Sequence, residues 1–181
     1  MDAVDLFVGS EGTLGVVVEA EVSLLAQPEG VLSGIVFFRA EEDLPAFVRE
    51  ARERSLRARA ENSSDRNAGK LDARALEYFD AESLKFLRER YPLVPLRAAG
   101  AVFFEQELTG ETEEGLLGEW LALCEAHGAM SDDSWFGTSE HDRAEMREFR
   151  HALPVMVNEL MARRGQRKIS TDAAVPDAAF P

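Results

Sequence analysis

Three glycines fall three residues apart near the start of this chain. Gly9, Gly12 and Gly15 sit in DLFVGSEGTLGVVVEAEVSLL, residues 5–25. Ser10, Glu11 and Thr13 lie between them, and apolar runs flank them on both sides. Successive backbone N–H groups in such a turn form a concavity that attracts anions. The missing Cβ atoms also let the backbone approach a flat ligand closely. The established phosphate loops do not apply. A P-loop requires G-x-x-x-x-G-K-[ST], and no lysine follows Gly15. A dinucleotide fingerprint requires G-x-G-x-x-G opening a helix, whereas Gly15 runs into Val16, Val17 and Val18, which read as strand. Spacing alone leaves two readings open: a ligand-facing turn, and a plain glycine-rich turn with a bulge.

Other reactive side chains are sparse. Cys124, the single cysteine, lies in the helical pattern LLGEWLALCEAHG and reads as a core thiol. His127, His141 and His151 lack any H-x-H or H-E-x-x-H spacing, so no metal site is expected. His127 precedes Gly128 and suits a helix C-terminus; His151 neighbours Arg150. Glu105 and Glu107 share one strand face, which reads as solvated. Arg163, Arg164, Arg167 and Lys168 form the one basic cluster and read as helix-end cations.

The elements that must position these residues follow from pattern. A hydrophobic share of 45% and a charged share of 30% place the 181 residues among globular chains. A net charge of −14 argues against nucleic acid and anionic membrane partners. No apolar run reaches the roughly 18 residues of a membrane span. The start lacks the basic region of a signal peptide, and one cysteine suits a reducing compartment, so a cytoplasmic location is expected.

LFVG and GVVVEAEVSLL read as strands, and AQPEG (26–30) as a turn. Strands are expected at VLSGIVFFR (31–39), ARALEYFD (73–80) and AAGAVFFEQEL (98–108), with a short one in SDDSWFGT. Helices are expected at EEDLPAFVREARERSLRAR, at AESLKFLRERY after an Asp80 cap, and after Thr112. Another starts at the Ser139–Asp142 cap, runs through Phe149 and is kinked or restarted at Pro154. ENSSDRNAGK (61–70) reads as a polar loop. KISTDAAVP reads as a strand followed by a turn. The order β-α-(β-α)-β-α-β-α-β predicts an α+β fold with a ferredoxin-like antiparallel sheet, helices on one face, preceded by a strand-rich tail.

The glycine segment closely resembles the last stretch of the flavin-binding domain in FAD-linked oxidases of the vanillyl-alcohol-oxidase type. The similarity is to the branch of D-lactate dehydrogenases, glycolate oxidase flavin subunits and D-2-hydroxyglutarate dehydrogenases. There the motif reads much like FVGSEGTLGVVTEA, with Val18 here replacing threonine. EFRHALPVMVNELMARRGQRKISTDAAVP (148–176) resembles the substrate-domain segment of the same branch. The resemblance implies two parts: 1–28 as the tail of the FAD-binding domain, and 29–181 as a truncated substrate (cap) domain. The family's main flavin-binding loop and its H-x-G-D-G-N-x-H signature are absent from these residues. The chain therefore reads as an excised piece, inactive by itself, with no catalytic residue assigned within it.

By the same resemblance, Ser10, Glu11, Gly12, Thr13, Gly15, Val16 and Val17 would line FAD, largely through backbone groups. The fragment alone is expected not to retain it. Arg150, in EFRHALP, resembles an arginine that grips the carboxylate of a small 2-hydroxy acid; a planar guanidinium suits that fork. The alternative is a surface arginine paired with Glu145 or Glu148. Lys168 resembles a second substrate contact, against the helix-end reading. Unpaired strand edges in the tail also allow a homo-oligomer. The competing reading is a free-standing ferredoxin-like binding or interaction module. A third is a subunit that completes a flavin site on a partner chain.

Overall fold

Strand β1 (Gly30–Phe38) is apolar on both of its faces, and that pattern organises the molecule. Leu32, Val36 and Phe38 belong to one buried cluster, and Ile35 and Phe37 to another. Strand β3 (Gly100–Leu108) repeats this, with Val102 and Phe104 on the first side and Ala101 and Phe103 on the second. A strand buried on both faces needs cover on both. The structure, a computed structural model, describes residues 3–24, 27–61, 69–108, 112–170 and 175–176.

β1 and β3 pair antiparallel from Gly30↔Leu108 to Phe38↔Gly100. Strand β2 (Ala73–Asp80) pairs with the outer side of β3, with a register shift between Ala73 and Ala75. The short β4 (Trp135–Gly137) pairs with β1. The order β2-β3-β1-β4, all antiparallel, is the ferredoxin-like arrangement expected from the sequence.

Helices α2 (Asp43–Glu61) and α4 (Glu113–Ala126) cover the first face through Leu44, Phe47, Leu116, Trp120 and Leu123. Trp120 stacks on Phe104 with ring centroids 3.7 Å apart. Gly34 makes room for that ring: a Cβ there would lie 2.3 Å from Phe104 Cε1. The buried Gln106 accepts from Trp120 Nε1 at 2.9 Å and donates to the Lys70 carbonyl at 2.9 Å, so its polarity is satisfied. Cys124 is fully buried, and burial pushes its thiol up to about 12, as suits a core residue.

The second face corrects the expectation of helices on one side. Helices α3 (Ala81–Leu87) and α5 (Glu140–Arg163) cover it with Leu84, Leu87, Met146, Phe149, Ala152 and Met156. The physical reason is the odd register of β1 and β3, where Ile35, Phe37 and Phe103 would otherwise face water. Asp80 caps α3 by accepting from the Ser83 N–H at 2.7 Å, and Ser139 caps α5. Pro154 does not divide α5. It lies on the exposed side of the helix, where water can serve the carbonyl it leaves unpaired, while Ala152 and Met156 hold the helix to the sheet.

The expected tail strands are absent. Residues 3–7 form the short helix α1 (Ala3–Phe7), and 15–24 have no regular structure. An extended apolar stretch becomes a strand only when a neighbour takes up its backbone groups. Residues 168–170 are likewise not strand, and the remainder of KISTDAAVP lies largely outside the described residues. Most of ENSSDRNAGK does too.

Candidate functional site

The glycine segment is a chain of left-handed turns held by its own backbone. Gly9 and Gly12 have φ of 80° and 78°, and Glu11 joins them at 49°. The Ser10 N–H donates to the Phe7 carbonyl at 3.1 Å, and the Thr13 N–H to the Ser10 carbonyl at 2.9 Å. Thr13 Oγ1 donates to the same Ser10 carbonyl at 2.7 Å. A Cβ on Gly9 or Gly12 would meet nothing within 4 Å, so this backbone is open to approach. Glu11, Gly12, Thr13, Gly15, Val16 and Val17 are exposed and Ser10 is half-buried. Val16 is 87%, Val17 66% and Val18 94% exposed, an unusual state for three consecutive β-branched residues.

Arg150 is in a different setting. It stands one helical turn beyond Met146, at the border of the apolar stripe of α5, and reaches back over the sheet. Its guanidinium pairs with Glu77 of β2 and lies 5.3 Å from the Phe103 ring centroid. The Glu77 hydrogen bond raises its pKa from an already high value, and burial opposes this only in part. Glu77 and Phe103 are register partners on adjacent strands, which brings carboxylate and ring under the same cation. Arg150 therefore pairs with neither Glu145 nor Glu148. Glu148 pairs with Arg90 at 3.1 Å, and Glu145 lies 3.7 Å from His141.

The charge cluster extends along the sheet. Arg74 Nε is 3.2 Å from Glu105, and its Nη1 is 3.7 Å from Glu107. Glu105 is 7% exposed, which corrects the solvated reading of that face: the strand side is covered, and the carboxylate is buried against a cation. Ser33, directly across from Glu105, is buried, and its Oγ has no hydrogen-bond partner among the described residues. Arg150 Nε is in the same condition. Glu77, Phe103 and Arg74 escape a reading of the sequence because they come from two strands whose register a sequence does not state. The one usable signal is the helical period that puts Arg150 at the edge of a buried stripe.

The structure does not bring the remaining candidates to Arg150. Lys168 is exposed and lies past the end of α5. The helical rise puts that end roughly 20 Å beyond Arg150. His151 is exposed. His127 does more than sit at a helix end: its Nε2 is 2.7 Å from Glu50 of α2. That hydrogen bond, with a second from Arg54, holds the Glu50 carboxyl below its ordinary range. Among the described residues no group of three or more His, Cys, Asp or Glu side chains could hold a metal ion. Among them, too, no helix is long and apolar enough to cross a membrane.

No family model matches the chain. A curated relative, the glycolate oxidase subunit GlcD of Bacillus subtilis (strain 168), is 30% identical over 176 residues. That stretch is 97% of this chain and 33% of the relative, so the chain spans a third of the length of the protein it matches. Both the glycine segment and Arg150 fall within it.

Proposed function

We propose that this chain is the substrate-side part of an FAD-linked oxidoreductase that oxidises a small 2-hydroxy acid of the D-lactate, glycolate or D-2-hydroxyglutarate type. The observation that carries the proposal is the exposed glycine-and-valine segment. Its backbone is open at Gly12, and its apolar side chains at Val16 and Val17 are uncovered. Such a surface fits the wall of a flat cofactor. The similarity to a glycolate oxidase subunit supports the choice of cofactor and substrate class.

In this reading Ser10, Glu11, Gly12, Thr13, Gly15, Val16 and Val17 form one wall of the FAD site, and the rest comes from outside these 181 residues. When bound, the flavin supplies the hydride acceptor. The chain's own share is positioning. Arg150 grips the substrate carboxylate, and because Glu77 already holds the guanidinium, substrate binding exchanges one carboxylate for another. Phe103 fixes the plane of the fork from below. Lys168 would add a second cation only if the residues after α5 fold back. By itself the chain neither holds FAD nor turns over.

A free-standing ferredoxin-like module is the second reading. The observation that favours it is a sheet already covered on both faces by the chain's own helices. The two readings part in one measurement. The longer polypeptide or complex that carries these residues is isolated from its source by a tag at its own locus, and its absorbance is recorded with and without D-lactate, glycolate or D-2-hydroxyglutarate. The proposal expects a flavin spectrum that one of these acids bleaches; a flavin-free preparation overturns it. In the active flavoprotein Arg150→Lys lowers kcat/KM roughly tenfold to a hundredfold, equivalent to about 1.5–3 kcal/mol. Unchanged kcat/KM on every accepted acid removes Arg150 from the site.

A further inference from the structure

A recess opens on the α5 side of the sheet and shares no lining residue with the Arg150 cluster. Its volume is about 540 Å³, within the range of small-molecule sites. Tyr91 and Leu93 line it together with Trp135 of β4 and with Met146 and Phe149 of α5. The rings are set edge to face: Trp135 and Phe149 centroids are 5.4 Å apart, and Tyr91 and Phe149 are 5.1 Å apart. Trp135 also packs edge-on against Phe37 beneath it, which holds the indole in place.

The charges around these rings are predominantly negative. Asp142, Glu145 and Glu148 line the recess, against Arg90 alone. Arg90 is taken by Glu148 at 3.1 Å. Asp142 accepts the Ser139 hydroxyl at 2.6 Å within the helix cap. Among the described residues the ion-pair partner of Glu145 is the exposed His141, at 3.7 Å. An aromatic lining beside a weakly engaged carboxylate selects positive charge, through ring quadrupole and Coulomb attraction together. Anions are repelled by the same three carboxylates, which separates this recess from any hydroxy-acid site.

We infer that the recess bounded by Tyr91, Trp135, Glu145 and Phe149 is a binding site for a small organic cation, an amine carried on an apolar body. The apolar body rests on Trp135 and Tyr91, and the ammonium faces Glu145. The inference is independent of the flavin reading, because it rests on residues that reading does not use.

The test uses the chain as it is. Its two tryptophans differ: Trp120 is buried against the opposite face, and Trp135 lines the recess. 2-Phenylethylammonium is titrated by calorimetry and by tryptophan fluorescence, alongside neutral 2-phenylethanol and anionic 3-phenylpropanoate. The expected result is saturable binding of the ammonium with a Kd of about 1 mM or below. The alcohol should bind at least threefold more weakly and the carboxylate not at all. Glu145→Gln, an exposed change that leaves the fold intact, should weaken the ammonium about threefold to fivefold and abolish its preference over the alcohol. Trp135→Leu should weaken it about tenfold, with circular dichroism checking the fold. Equal binding of all three probes, no saturation by the ammonium, or full affinity in Glu145→Gln each overturns the site.

Discussion

Residues 16–24, VVVEAEVSL, and residues 30–38, GVLSGIVFF, carry similar β-branched, apolar patterns and meet opposite fates. The second is one of the two inner strands of the sheet, paired on both edges and buried on both faces. The first is exposed along its length, with Val18 at 94% and Val22 at 71%, and pairs with nothing as strand. Local propensity does not separate them. β1 has β3 and β4 to take its N–H and C=O groups, and four helices to cover its side chains. Residues 16–24 have no such neighbours among the described residues. Strand structure belongs to the pair of strands more than to either sequence.

The comparison sets how strongly each region should respond to change. Trp120→Ala should have the largest effect, about 3–5 kcal/mol, since it removes a stacked ring and leaves Gln106 without its indole donor. Urea unfolding of the variant measures it. A cost below about 1 kcal/mol would mean that α4 is not anchored to the sheet through this residue.

Gly34→Val comes next, at about 1–3 kcal/mol, because the added carbons must displace the Phe104 ring. Gly12→Ala is the matched change in the tail. It strains a turn with φ of 78° yet meets no neighbour, so it should leave global unfolding where it was. Equal losses at the two glycines would erase the distinction between the regions.

Asp80→Ala should cost about 1 kcal/mol at neutral pH through the lost α3 cap. The Ser83 hydrogen bonds hold the Asp80 carboxyl below its ordinary range. A depressed folded pKa gives stability that is present above the ordinary carboxylate range and lost as pH falls through the folded value. The gap between variant and parent should therefore narrow in acid. A gap that widens on acidification would contradict the cap.

Val18→Ser should be the smallest, within about ±0.5 kcal/mol, as for an exposed site away from packing. Hydrogen exchange in dilute solution should be fast across 15–24 and slow across 30–38. Slow exchange in both would show that the tail finds a partner, in another copy or in the fold itself.

Much of the fold was legible in the sequence because its signals are local. The alternation in β3, the Asp80 and Ser139 caps, and the Leu116–Trp120–Leu123 stripe each depend on residues a few places apart. The apolar residues on both sides of β1 were read only as a strand, and the helices were expected on one face; that both faces are covered came from the structure. The site was less legible. The glycine spacing and Arg150 stand out as residue types, but their partners come from elsewhere in the chain. Glu77 is 73 residues from Arg150, and the two meet only once β2 and α5 lie on the same sheet.

By itself, then, the sequence determined which segments could become helix or strand, that Cys124 would be a core thiol, and that Gly9 and Gly12 could take left-handed turns. These follow from side-chain volume, period and the freedom of a residue without Cβ. Tertiary structure alone decided that 16–24 is uncovered while 30–38 is buried. It also decided that Glu105 lies under cover beside Arg74, that Arg150 is held by Glu77, and that an acidic aromatic recess opens beside Trp135. Each of these depends on strand register and helix placement, where the free energy comes from surfaces meeting across long stretches of chain, and no short window of sequence contains both sides of such a contact.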